Sequence, residues 1–395
     1  MVKQIIKRRP HAQVFERTRL SVTQNSSEAE SKYSLQHTPS QLTMKFLAPM
    51  LGLAAVLTPF AQAARRTQSY SFEPENAKTV WKGDIPILFN LNETQAGSWG
   101  GSYWITSYVT TTENEQYFLV SHVLTTPSVS LFRASRLNLG NLEYAQFVEV
   151  GNLTSDRDSL DLKIGQHGFQ ALSDDNLSKT RAFSKHKNVN FDLTYEATTQ
   201  ALPNAGSGRF QFGPGTTWEW ALPSCKTDGH LVKANGAKAT IDPKKSFTWY
   251  DRQGGDNPQT PGNWTWFQLH VPSTSYKLSI WTIDDEKTGQ FNRFATVRGD
   301  GEEIQVLPVT FKPDYTRAFQ SHASSKIVYP LDWDLVVAGF GSFRISSVKA
   351  DQEMVGTSSL ETAYEGFVTY TGRVGGKKVD GFGIVEIFSK QSYFE

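Results

Sequence analysis

From residue 69 onward the chain alternates apolar and polar positions with a period of two, in short runs broken by clusters of Gly, Pro, Asn and Asp. Runs such as YWITSYVTTT from Tyr103, QYFLVSHVL from Gln116, WTWFQLHV from Trp264 and FVTYTGRVGGKKVDGFGIVEIF from Phe367 predict β-strands, because successive side chains of a strand point to opposite faces. No stretch sustains a helical period, so few helices are expected. So many strands exceed one sheet, and the expectation is an all-β fold of two β-barrel or curved-sheet domains in tandem, which removes exposed edges. The stretch GGDNPQTPG, residues 254–262, cannot continue a strand and marks the expected boundary between an N-terminal domain, 64–255, and a C-terminal domain, 256–395. The segment running into TWYDRQ and the terminal segment ending VEIF echo one another, each reading as a hairpin that ends in an acid-bearing strand.

Residues 44–63, MKFLAPMLGLAAVLTPFAQA, have the layout of a secretory signal peptide, with an apolar run too short for a comfortable membrane span and an Ala-x-Ala end. Residues 1–43 carry seven Lys or Arg against three acids and no apolar period, which reads as a disordered upstream extension. Secretory routing agrees with four Asn-x-Ser/Thr sequons, at Asn92, Asn152, Asn176 and Asn263, each an expected glycosylation site. Cys225 is the only cysteine, so no disulfide forms within the chain, and a buried apolar thiol is the expected state.

The charges balance, with 40 Lys and Arg against 39 Asp and Glu, and setting residues 1–63 aside turns the formal charge to about −4. No basic stripe remains, so nucleic acid is not an expected partner. Nucleotide-binding loops, a nucleophile elbow and paired-cysteine motifs are absent from the sequence. From Ala64 on, no histidine lies within four residues of another, so neither a metal nor an organic cofactor is expected.

Chemistry concentrates around the predicted boundary. Alternation puts Trp249, Asp251 and Gln253 on one face, Tyr250 and Arg252 on the other, and Trp264, Trp266, Gln268 and His270 together on the next strand. A second mixed surface is Trp104, Thr106 and Tyr108, with Tyr103 beside it. Such faces suit a barrel lumen whose aromatic walls bury an apolar ligand while a few polar groups orient it. A structural ion pair of Asp251 and Arg252 amid core tryptophans is the competing reading.

At these residues the sequence resembles a known family. TWYDRQGG, NWTWFQL, YPLDWDLVV from Tyr329 and the closing YEGFVTYTGRVGGKKVDGFGIVEI are similar to the two-domain lipocalin-like family of carotenoid 1,2-hydratase (hydroxyneurosporene synthase), specifically its fungal Diels-Alderase branch. The resemblance spans most of residues 70–390 and departs from the family where Gly254-Gly255 replaces an aromatic residue. It implies a cofactor-free enzyme of fungal secondary metabolism. The secreted branch members join a tropolone ortho-quinone methide to a humulene-type sesquiterpene by a hetero-Diels–Alder reaction, and the signal and sequons favour that kind. By position the resemblance gives Asp251 the role of the family's catalytic acid; beside it Arg252 and Gln253 are the candidate catalytic hydrogen-bond donors, and the faces carrying Tyr103, Trp104, Thr106, Trp249, Trp264, Trp266, Gln268 and His270 are expected to bind a pair of small apolar or polycyclic substrates. Holding both partners in one near-attack geometry would remove up to about 7 to 11 kcal/mol of bimolecular entropy cost. Two alternatives stay open: an alkene hydratase using Asp251 as acid, and a secreted carrier that returns its ligand unchanged.

Overall fold

The computed structural model describes residues 69–79, 87–96, 101–126, 129–156, 158–213, 215–255, 263–285, 289–299, 303–358 and 361–389. The extension, the signal-like segment and most of the 254–262 stretch lie outside the described residues. Among the described residues there is no helix, and so none long and apolar enough to cross a membrane.

The first sheet begins with β1 (Gly101–Thr110), β2 (Gln116–Thr125), β3 (Ser130–Asn138) and β4 (Tyr144–Val150). It continues through β5 (Leu153–Ser155), β6 (Asp161–Ile164), β7 (His167–Ala171), β8 (Lys179–Lys185) and β9 (Asn190–Glu196). Short β10 (Leu202–Pro203), β11 (Arg209–Phe212) and β13 (Lys238–Thr240) flank the long β12 (Gly215–Val232), and β14 (Phe247–Gly254) completes it. The path runs β4-β3-β2-β1-β14-β12-β9-β8-β7-β6-β5, so β14 is stitched between β1 and β12.

The second sheet holds β15 (Asn263–His270), β16 (Lys277–Asp285), β17 (Gln290–Arg298), β18 (Ile304–Gln320), β19 (Val328–Val337) and β20 (Gly341–Ser347). After β21 (Glu353–Met354) come β22 (Ala363–Val374) and β23 (Lys377–Ser389), joined by a tight turn in which Gly375 and Gly376 take φ of 54° and 80°. The β20–β22 pairing and the β15–β23 pairing close an eight-stranded barrel. The fold is all-β, a curled open sheet followed by a closed barrel, as the period-two pattern predicts.

Three apolar cores follow from alternation. One face of the first sheet curls around Tyr103, Ile105, Phe132, Phe169, Trp220 and Tyr250. The barrel is filled from within by Phe267, Leu269, Ile280, Trp333, Tyr364 and Val385. The third core lies between the sheets, where Trp104, Tyr108, Phe247 and Trp249 meet Trp266, Trp281, Phe367 and Phe382. The lumen expectation is therefore corrected. Because Phe267 and Leu269 point into the barrel, Trp264, Trp266, Gln268 and His270 must point out of it, toward the first sheet.

Of the sequons, Asn92 and Asn152 are exposed and Asn263 is half-buried, but Asn176 is buried. Its Nδ2 donates to the Asp158 carbonyl and its Oδ1 accepts from the Leu160 N–H, each at 3.1 Å. The folded chain has no room for a sugar there, which corrects the expectation at Asn176. Glycopeptide mapping of protein made in a eukaryotic host should find Asn176 unmodified, whatever the occupancy of Asn92 and Asn152.

Candidate active site

Antiparallel register aligns Arg133, His122, Trp104 and Asp251 in one row across β3, β2, β1 and β14. A second row, Glu365, Glu386, Trp266 and Trp281, crosses β22, β23, β15 and β16. Residues directly opposite in a ladder share a face, so each row is a continuous stripe. The stripes meet between the sheets: Trp104 Nε1 donates to Glu365 Oε2 at 2.7 Å, and the Trp104 and Trp266 rings pack edge-on at 5.1 Å. Arg133 reaches across to Glu365 at 2.8 Å and Glu386 at 3.3 Å.

Glu219, Asp251, Glu365 and Glu386 are all buried in this region. Burial pushes Glu386 well above the ordinary carboxylate range, and the neighbouring Glu365 charge adds to the effect. Glu365 is raised less, because Arg133 and the Trp104 N–H offset its desolvation. Glu386 therefore carries the proton of that pair and donates it to Glu365. Glu219 is likewise pushed well above its usual range by burial and by Asp251. Asp251 is pushed up to about 7 by burial, against hydrogen bonds from Trp249 and Glu219. Burial and the Arg133 charge hold His122 neutral. The site is thus two carboxyl pairs, each linked by a shared proton, with the Arg133 guanidinium on the Glu365–Glu386 pair.

Glu386 borders a pocket of about 120 Å³ whose walls include His122, Arg133, Gln253, Trp264 and Phe388. A larger groove of about 440 Å³ at the barrel's end shares Trp264 and Phe388 with it, and those two rings stack at 5.8 Å. The buried carboxyl Glu386 borders the smaller hollow, which makes that hollow the candidate site. His122, Glu365 and Glu386 each bring a ligand atom within 4.8 Å of the others, a donor set a divalent cation could use. Such an ion would have to displace the Arg133 guanidinium that already joins the two carboxyls.

The expected residues divide three ways. Trp104, Trp249, Asp251, Gln253, Trp264 and Trp266 lie at the carboxyl cluster or its pocket. Thr106, Gln268 and His270 form a closed network beside it. Thr106 Oγ1 donates to Gln268 Oε1 at 2.8 Å, and the Gln268 amide donates to Tyr108 Oη at 3.1 Å and His270 Nε2 at 2.6 Å. Tyr103 and Arg252, expected in the pocket, lie on the opposite face of the first sheet. Arg252 spends its donors on the carbonyls of Thr94, Ser102 and Gln253 and on Tyr103 Oη, and its guanidinium stacks over Trp218. That hydrogen bonding leaves it a structural clamp, separated from the carboxyls by the sheet. Trp218 also explains Gly254, since a Cβ there would come within 2.3 Å of that indole, and a Cβ on Gly255 would come within 2.7 Å of the Thr216 carbonyl. Cys225 is fully buried, with its thiol pushed far up by burial.

His122, Arg133, Glu219, Glu365 and Glu386 were not among the expected site residues. Each is a charged or imidazole side chain inside an apolar strand, as in Trp218-Glu219-Trp220 and Val385-Glu386-Ile387, and that isolation is the signal that could have found them.

The raised proton affinity of Asp251 gives a pH signature. Between roughly pH 4 and 7 the folded chain holds a proton that the unfolded chain has released, so stability falls as pH rises across that window. The slope for one proton is about 1.4 kcal/mol per pH unit. Asp251→Asn cannot titrate at this position, so it should gain stability relative to the native chain between pH 4 and pH 8, measured by urea unfolding midpoints.

No protein-family model matches the chain. It is 51% identical over 341 residues to kievitone hydratase from Fusarium solani subsp. phaseoli, covering 86% of this chain and 97% of that protein. The crystal structure of kievitone hydratase from Nectria haematococca superposes with a TM-score of 0.79 at 51% identity, covering 81% of this chain and 98% of that one. Dehydratase AsqC of Emericella nidulans is 37% identical over 346 residues, covering 85% of this chain and 98% of that protein. Two relatives of this similarity, matched over nearly their whole lengths, place the chain plainly: it belongs to the lipocalin-like enzyme family of kievitone hydratase and dehydratase AsqC.

Proposed function

We propose that the protein is a hydro-lyase of secondary metabolism that adds water to, or removes it from, a carbon–carbon double bond of an apolar substrate, with Glu386 as the proton donor. The observation that carries this reading is Glu386 itself, a buried carboxyl that keeps its proton at neutral pH and borders a pocket. Protonating an alkene needs an acid that is both undissociated and dry, and burial supplies both conditions. The cation that results would face two ionised carboxylates, Glu365 and Glu386, with only Arg133 opposing them, beside the Trp264 and Phe388 rings. The small pocket admits the alkene end, and the remainder of a larger substrate would extend over the Trp264–Phe388 stack toward the 440 Å³ groove. The activities named for the relatives, hydration of kievitone and a dehydration, support the same class of reaction.

A second reading is the cofactor-free hetero-Diels–Alder cycloaddition of a tropolone quinone methide and a humulene-type alkene. The crossing of Trp104, Trp249, Trp266 and Trp281 between the sheets favours it, as an aromatic enclosure that would orient two apolar partners. Secretion belongs to the same proposal, supported by residues 44–63 and the exposed sequons.

The deciding experiment is incubation with kievitone as the first probe in ¹⁸O-labelled water. A product heavier by one labelled water supports the hydro-lyase. A panel of trisubstituted alkenes and tertiary alcohols that all stay unchanged, while a quinone methide and alkene pair is joined, would replace it with the cycloaddition.

A further inference from the structure

Among the residues bordering the pocket, His122, Arg133, Gln253 and Trp264 each carry a buried polar atom without a hydrogen-bond partner, and those on His122 and Gln253 are neighbours. His122 is buried, and its Nε2 meets Ser102 Oγ at 2.8 Å, which leaves Nδ1 unpaired. Gln253 Nε2 is also buried without a partner. Register brings the two together. Gln253 lies directly opposite Ser102 across β14 and β1, and Ser102 is the residue bonded to His122. Both side chains border the same 120 Å³ pocket as Glu386. Buried polar atoms are almost always satisfied by protein or by ordered water, and a water needs only about 10–15 Å³ of such space and two or more polar partners.

We infer that His122 and Gln253 form the subsite for the water, or the leaving hydroxyl, of the hydro-lyase reaction, with His122 as the base that takes the water proton. This inference rests on the hydro-lyase reading. The Gln253 amide donates to one lone pair of the water, the water donates one hydrogen to His122 Nδ1, and the second lone pair stays free to attack carbon. In the hydration direction the π electrons of the alkene take the proton of Glu386, and the water oxygen forms the C–O bond to the cation. Its surplus proton then passes to His122 Nδ1. A His122 ring nitrogen and a Glu386 oxygen lie within 4.8 Å, so return of the proton through one bridging water resets both groups. His122 suits this task although burial weakens it as a base, because a protonated alcohol is a very strong acid.

The test has a structural and a kinetic arm. A crystal structure of the native protein should show an ordered water within about 3.2 Å of both His122 Nδ1 and Gln253 Nε2. A dry pocket, or a water that touches neither atom, overturns the inference. In deuterated water, the native enzyme should both hydrate the probe alkene and exchange its vinylic hydrogen for deuterium through Glu386. His122→Phe should lower hydration by about 10² to 10⁴-fold while exchange continues, since protonation survives and only capture by water is lost. Equal loss of both reactions, or hydration at the native rate, overturns the role of His122. If the native enzyme performs neither reaction, the hydro-lyase reading fails, and the crystal water alone decides whether the subsite exists.

Discussion

Glu386→Gln is expected to abolish turnover while leaving the substrate bound. The amide keeps the shape of the side chain and can still hydrogen-bond to Glu365, so the pocket and the barrel strand should persist. What disappears is the one acidic proton that borders the pocket, and general-acid catalysis of this kind contributes about 10² to 10⁴-fold. The measurement is kcat and the dissociation constant for the same hydrated alkene. A fall in kcat with an unchanged dissociation constant identifies an interaction made only in the transition state. Asp251→Asn should be far milder, because Asp251 holds its proton with Glu219 and neither is among the residues bordering the pocket. The ranking separates the chemistries as well: a cycloaddition transfers no proton, so a Glu386→Gln variant of full activity would favour the cycloaddition over the hydro-lyase.

Much of this site can be read from the sequence, and the missing part has a definite physical cause. Alternation alone assigns Trp249, Asp251 and Gln253 to one face and places Trp266 with Gln268 and His270. It also puts Glu219 on the face away from Trp218 and Trp220, as the structure has it, with Trp220 in the first sheet's own core. Alternation does not say which face curls inward. For β15 the answer depends on whether Phe267 and Leu269 or the Trp and Gln residues fill the barrel, and both sets are bulky enough. The apolar set fills it, and the mixed face is left to meet the first sheet. The carboxyl pairs lie further out of reach. Arg133 and Glu386 are 253 residues apart, and Trp104 and Glu365 are 261 apart. Only the packing of one sheet on the other joins them, and no local spacing encodes that. The echo between the two hairpins carries part of it: each supplies an acid, Asp251 on β14 and Glu386 on β23, on the strand that pairs with the first strand of its sheet.

Arg133 should be the most costly single side chain to remove. It is the cation that both Glu365 and Glu386 contact, with side-chain exposures of 5% for Arg133, 0% for Glu365 and 11% for Glu386. Arg133→Met keeps much of the volume but leaves an ionised Glu365 buried without its counter-charge, a loss of about 3 to 5 kcal/mol. The deficit should depend on pH in a definite sense. Without the guanidinium, burial raises the folded-state affinity of Glu365 for protons further above that of the unfolded chain. The folded variant then binds the extra proton at low pH, so the deficit is small near pH 4 and grows as pH rises toward 8. Urea midpoints across that range test the claim. The double variant Arg133→Met with Glu365→Gln should recover most of the stability at pH 8, because no charge is then stranded, while its turnover stays low for want of the carboxylate that faces the substrate cation. A uniform loss at every pH, unrelieved by Glu365→Gln, would mean that Arg133 acts through packing, and the electrostatic account of the cluster would fall with it.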